Sequence, residues 1–200
     1  QGFPTVSTDE ETKWYLIQFL NGGNALTAET DGANITTSAG KGSDAQLWKI
    51  TGSKTQGYVL TNKKGYTLSV ASSDKNQMVR AQSSASGSYK FAINTSTASG
   101  YSDGYEIQPR GNTAISMNLW GGPSENRGVG LWDKGDKNNA VQFVDAEAFE
   151  RLGKIALIPY PSSLEMSEGS LALSSLSAIA YTGAEMKEHV EAFAQQLATS

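Results

Sequence analysis

One spacing occurs three times in this chain and limits what it can fold into. Tyr15-Leu16-Ile17-Gln18, Tyr58-Val59-Leu60-Thr61 and Tyr105-Glu106-Ile107-Gln108 open three segments, 43 and 47 residues apart. Leu26, Leu68 and Ile115 follow them, 42 and 47 apart. Aromatic anchors close the segments at Trp48, Phe91 and Phe143, 43 and 52 apart. Self-similarity with a period of about 20–50 residues is the mark of repeat architecture.

Each segment reads as four short strands. In the first, residues 13–52, Trp14 to Phe19 has the aromatic and β-branched content of a strand. Asn21-Gly22-Gly23-Asn24 supplies residues that accept positive φ in a turn. Ala25 to Ala28 returns, Ile35-Thr36-Thr37 follows, and Gln46-Leu47-Trp48 closes the unit. Residues 57–95 and 104–145 repeat the plan, and the third unit carries an insertion from Trp120 to Asn126. Units of this size cannot bury an apolar face alone. Three of them joined by threefold pseudosymmetry can: six strands form a barrel and six form hairpins over one end, with no open edge. The expected fold is mainly β, a β-trefoil over residues 13–146, preceded by a polar tail at 1–12. The periodic apolar positions are assigned to its core.

Composition removes several function classes. With 16 basic and 20 acidic residues the net charge is −4, the wrong balance for neutralising nucleic-acid phosphates. No apolar stretch reaches the roughly 18 residues of a membrane span. The chain has no cysteine, so neither disulfides nor cysteine-ligated metals arise. His189 is its single histidine, which leaves no basis for a metal centre or a Ser-His-Asp arrangement. No cofactor is implied, and the loop residues Asp31, Asp44, Asp103, Asp133 and Asp136 are read as turn formers, with a weak calcium site as the alternative.

The three repeats, Gln46-Leu47-Trp48, and Leu131-Trp132-Asp133-Lys134-Gly135 ahead of Asn138-Asn139 resemble a ricin-B-type lectin module over residues 13–146. That resemblance implies one shallow sugar site per unit, made of an Asp, an aromatic platform and an Asn near the Gln-x-Trp motif. The Asp position falls on Thr27, Ser69 and Ser116, the aromatic on Thr37, Arg80 and Trp132, and the Asn on Ala45, Ser88 and Ala140. Only the third unit keeps part of the pattern. The implied carbohydrate-binding residues are therefore Trp132, Asn139 and Asp133, with Asn118 and Trp120 beside them. The competing reading makes Trp120 and Trp132 packing elements of the barrel mouth.

After residue 146 the strand pattern ends. Residues 145–154 have leading acids, trailing bases and a glycine near the end, the arrangement of a short helix, here a linker at 147–154. From 155 to 200 the order is strand, hairpin, strand and helix, the helix opened by the capping box Thr182-Gly183-Ala184-Glu185. Leu157-Ile158-Pro159-Tyr160-Pro161, Leu164-Glu165-Met166 and Glu168-Gly169-Ser170-Leu171 are similar to the start of the small α+β domain that precedes the catalytic barrel in family-20 β-N-acetylhexosaminidases. This implies a fragment of a larger, exported bacterial glycoside hydrolase (periplasmic, cell-surface or secreted). Its catalytic domain would be a partner of this region. The carboxylate pair of that family lies in the barrel, so no catalytic residue is carried over. The expected role is non-catalytic binding of a glycan of N-acetylhexosamine or galactose type. The alternative is a structural spacer or docking domain that binds no sugar.

Overall fold

The computed structural model describes residues 2–84 and 87–154. The strand, hairpin and helix expected over 155–200, His189 included, lie outside the described residues. Contacts divide the chain into a unit spanning 1–152 and a second from 153 to 200.

Twelve strands build the first unit. They are β1 (Tyr15–Phe19), β2 (Ala25–Thr27), β3 (Thr36–Ser38), β4 (Leu47–Ser53), β5 (Gly57–Asn62), β6 (Thr67–Val70), β7 (Val79–Gln82), β8 (Phe91–Thr95), β9 (Tyr105–Pro109), β10 (Ile115–Leu119), β11 (Val129–Asp133) and β12 (Val141–Asp145). Helix α1 (Gly122–Glu125) lies in the insertion, and α2 (Ala146–Lys154) follows β12. Antiparallel pairing runs β1 to β4, β4 to β5, β5 to β8, β8 to β9, β9 to β12 and β12 back to β1. The six strands therefore close into a barrel that leaves none of them as an edge. The pairs β2–β3, β6–β7 and β10–β11 are the three hairpins. This is the β-trefoil the repeat predicts.

The hairpins meet one another around the pseudo-threefold axis. Backbone bridges join Asn34 to Arg80 and Met78 to Gly130. The third junction is made by a side chain: Thr37 Oγ1 donates to Asn126 Oδ1 at 2.7 Å, and Asn126 Nδ2 donates to the Thr37 carbonyl at 3.2 Å. Asn126 sits in the left-handed region at φ 44°, which places its amide back across the cap.

Register corrects two of the repeat anchors. Trp48 pairs with Asn62, Phe91 with Pro109, and Val141 with Phe19. Val141, not Phe143, is thus the counterpart of Trp48 and Phe91, and Phe143 matches Ile50 and Ile93 one pleat further on. The cross-strand bridges likewise make Met117, not Ile115, the counterpart of Leu26 and Leu68. The physical reason is a size exchange. Units one and two put the large ring on the closing strand; unit three puts a small Val141 there, and the large ring comes from Phe19 opposite. Trp48, Phe91, Phe19 and Val141 are all 0% exposed, so total volume in the layer is kept.

Residues 1–12 also differ from the expected tail. The Phe3 ring packs against Tyr58 at 5.5 Å and Tyr105 at 5.7 Å, beside a Tyr105–Phe143 contact at 5.8 Å and a Tyr15–Phe143 contact at 6.2 Å. Thr5 N donates to Tyr15 Oη at 2.9 Å, and Ser7 N to the Ile50 carbonyl at 2.7 Å. Three apolar residues, Phe3, Pro4 and Val6, dilute a segment whose polar residues dominate the sequence signal. They are what tie it to the barrel.

Candidate functional site

Unit three carries the amide-rich cluster, and register explains how. With Val141 in the place of Trp48, Asn139 takes the place of Gln46, Asn138 that of Ala45, and Asn118 that of Thr27. The hydrogen bonds bear out this alignment. Gln46 Nε2 donates to the Ala39 carbonyl at 3.0 Å and to Thr27 Oγ1 at 3.2 Å. Asn139 Nδ2 donates to the Asp133 carbonyl at 2.8 Å, and its Oδ1 accepts from Asn118 Nδ2 at 2.8 Å. The carried-over positions in this unit therefore shift by two: Asn118 replaces Ser116 and Asn138 replaces Ala140. Trp132 corresponds to Ser38 and Gln82, not to Thr37 and Arg80.

An open cleft of about 310 Å³ lies over this cluster, lined by Asn118, Trp120, Arg127, Trp132, Asp136 and Asn138, with Asn76 contributed by unit two. Asn118 forms its floor. Asp136 Oδ1 accepts from Asn118 Nδ2 at 3.1 Å and from Asn138 N at 2.8 Å, so the aspartate is a turn former that also presents a carboxylate to the cleft. Asn138 Oδ1 accepts from Asn21 Nδ2 at 2.8 Å, which ties the floor to the first turn of unit one.

Two indoles wall the cleft. Trp132 is 38% exposed, and Lys75 Nζ stands 3.9 Å from its ring centroid while bonding Asp133 Oδ2 at 2.6 Å. The cation–π contact and the ion pair together fix the indole's orientation. Trp120 lies flat on Gly130: a Cβ there would fall 2.2 Å from Trp120 Cζ2. Trp120 Nε1 is buried without an acceptor among the described residues. The insertion is braced by Pro123, which fills the space over Gly22; a Cβ on Gly22 would meet Pro123 Cβ at 2.3 Å.

Beneath the floor is a group that sequence reasoning passed over. Glu106 is 1% exposed. Its oxygens accept from Ser116 Oγ at 2.5 Å, Thr97 N at 3.0 Å, Gly135 N at 3.1 Å and Asn139 Nδ2 at 3.4 Å. A buried carboxylate is tolerated when donors surround it. This one gathers the β8–β9 loop, β10 and the β11–β12 loop at one point under the cleft. Its counterparts are Leu16 and Val59, so the signal was a charged residue breaking an otherwise apolar repeat position.

Of the five sequence-derived residues, the structure brings Asn118, Trp120 and Trp132 to the cleft. Asn139 lies just below it, 0% exposed, as a positioning residue. Asp133 is turned toward Lys75 and does not line it. In unit one the equivalent polar groups are consumed internally, with Gln46 Oε1 accepting from Lys41 N at 2.7 Å and Gln46 Nε2 donating to Ser38 Oγ at 2.9 Å.

A closed six-strand barrel under three hairpins is the β-trefoil, and solved structures of that fold match this chain. A designed threefold-symmetric protein, ThreeFoil, is 23% identical, with 66% of this chain and 98% of that one covered at a TM-score of 0.54. The Macrolepiota procera ricin B-like lectin, solved in complex with lactose, is 15% identical, with 70% and 98% covered at 0.56. An exo-β-1,3-galactanase from Clostridium thermocellum is 19% identical, with 70% of this chain and 31% of the enzyme covered at 0.57. No family profile and no curated protein matches the chain.

Proposed function

We propose that the trefoil is a carbohydrate-recognition module that takes a sugar in the unit-three cleft. Trp132 and Trp120 would offer apolar ring faces to a pyranose, while Asn118, Asn138 and Asp136 would exchange hydrogen bonds with its hydroxyls. The observation that carries this is the convergence of two indoles and three polar side chains on one open cleft, in the one unit whose Gln-x-Trp region holds consecutive asparagines. The lactose-bound lectin of the same fold supports a hexose of galactose type, and N-acetylhexosamines share the stacking face.

The wider setting is part of the same proposal. The resemblance of residues 155–200 supports a non-catalytic accessory region of an exported bacterial glycoside hydrolase of β-N-acetylhexosaminidase type. The galactanase, of which this fold accounts for about a third, supports the principle of a trefoil attached to a hydrolase. The spacer reading draws support from Lys75, which already occupies the Trp132 ring.

Titration with galactose, N-acetylgalactosamine and N-acetylglucosamine tests the proposal. Trp132→Ala is expected to weaken binding about three- to tenfold, the scale of one aromatic contact, without unfolding the protein. No binding of any of the three sugars would favour the spacer. Deleting residues 1–146 from the parent enzyme should then lower its melting temperature and leave turnover of polymeric substrate intact.

A further inference from the structure

A second cleft, of about 450 Å³, opens between units two and three and is lined by Ser73, Ser88, Tyr89, Lys90 and Arg110 together with glycine backbone. None of its lining residues is acidic, although the chain as a whole carries a net charge of −4. The stems of its two basic side chains meet over one glycine. Gly57 adopts φ +92°, and the point where its Cβ would stand is 2.7 Å from Arg110 Cδ and 3.0 Å from Lys90 Cβ. Both stems therefore cross one glycine. Arg110 Nη2 donates to the Thr55 carbonyl at 2.6 Å, and Arg110 N to the Lys90 carbonyl at 3.0 Å, which fixes the guanidinium's base. Neither cation takes part in an ion pair among the described residues. Two basic side chains lining a cleft that has no acidic one favour an anionic ligand there.

Register adds an independent observation. Tyr89 stands where units one and three carry Gln46 and Asn139, which are 1% and 0% exposed and close their loops from inside. Tyr89 is 37% exposed. The position has lost its internal duty and presents a ring beside the cations instead. Ser73 Oγ and Ser88 Oγ, 3.4 Å apart, supply hydroxyls at the same cleft, and Asn112 Nδ2 holds the Ser73 carbonyl at 3.0 Å.

We infer that this cleft is a second ligand site, selective for saccharides bearing a carboxylate or a sulfate. The Arg110 fork and the Lys90 ammonium take the anion, Tyr89 takes a ring face, and the serines take hydroxyls. The saccharide class rests on the carbohydrate reading of the trefoil; the anion requirement rests on the two cations alone.

The full chain is titrated with galactose, galactose 6-sulfate, glucuronic acid and inorganic sulfate, in low and high salt. The charged sugars are expected to bind more tightly than galactose and to weaken as salt rises. Arg110→Gln with Lys90→Gln is expected to lower charged-sugar affinity about tenfold or more, the scale of a lost charge-assisted bond, and to leave galactose binding unchanged. Trp132→Ala should do the converse, so the two sites fail separately. Arg110→Lys, which keeps the charge, should retain part of the affinity and serves as the folding control. Equal binding of charged and neutral sugars, or charged-sugar affinity unmoved by the double variant, would overturn the site. Sulfate binding as tightly as galactose 6-sulfate would overturn its saccharide selectivity.

Discussion

Glu106 shows how much one side chain can organise here. Replacing it with leucine restores the apolar character of Leu16, yet strands Ser116 Oγ and the amides of Thr97 and Gly135 in a buried pocket. Unsatisfied buried donors cost about 1–3 kcal/mol each, so Glu106→Leu is expected to lower stability by about 2–4 kcal/mol in urea unfolding. It should also weaken sugar binding, because Asn139 and the β11–β12 loop lose their anchor. Gly130 is a second such residue, in this case for its absent Cβ. Gly130→Ala drives a methyl into the Trp120 ring. The expected result is a displaced indole, read as a shift in tryptophan emission and a loss of galactose affinity, with a stability cost of about 1–3 kcal/mol from overpacking.

Element-scale behaviour centres on α2. Asp145 Oδ1 accepts from Glu147 N at 2.9 Å and Ala148 N at 3.0 Å, a side-chain N-cap at the end of β12. Phe149 joins Leu16, Leu47 and Trp14 in a small apolar cluster and approaches Gly42, where a Cβ would stand 3.4 Å from its ring. The helix was legible from its charge order; through Phe149 it packs on β1 and β4. Asp145→Ala is expected to cost about 1 kcal/mol, and Phe149→Ala about 1–2 kcal/mol for a half-buried ring, both measurable by thermal melting. Between hairpins, Ser83 N donates to Asp31 Oδ1 at 2.7 Å and Ser83 Oγ to Oδ2 at 2.5 Å. These bonds, the hydroxyl's first, hold the Asp31 carboxyl below its usual range. A lowered folded-state value means the bonds contribute above the unfolded value and are lost as pH falls through the folded one. Asp31→Asn should therefore flatten the melting temperature's dependence on pH below about 4.

At the scale of the whole molecule, the barrel layer that holds Trp48, Phe91 and Phe19 is filled by volume rather than by strict repetition. Val141→Trp copies unit one's residue into unit three and is expected to destabilise by about 1–3 kcal/mol through overpacking against Phe19. Phe19→Ala alone should cost about 3–5 kcal/mol. Combined, the two should cost clearly less than their sum, because each relieves the other's fault; a double-mutant cycle in urea measures the coupling. The same layer explains why the sequence repeat looked regular at Tyr15, Tyr58 and Tyr105 but slipped by one pleat at Phe143. Aromatic identity marks a layer, and which strand supplies the ring is free as long as the space is filled.

Periodic tyrosines, the turn residues after them and the alternating strands were enough to point to a threefold β-trefoil, because three four-stranded units bury their apolar faces and lose their barrel edges when they close around one axis. They were enough, too, to point at Asn118, Trp120 and Trp132 in the one unit with spare amides and aromatics. Only the tertiary structure decided the register of unit three, the burial of Glu106, the rotation of Asp133 toward Lys75 and the docking of residues 1–12. Each of these depends on a partner distant in the chain, Phe19 for Val141, Gly135 for Glu106, Lys75 for Asp133, Tyr105 for Phe3. Local patterning records which face a residue turns, but it holds no information about what is waiting there.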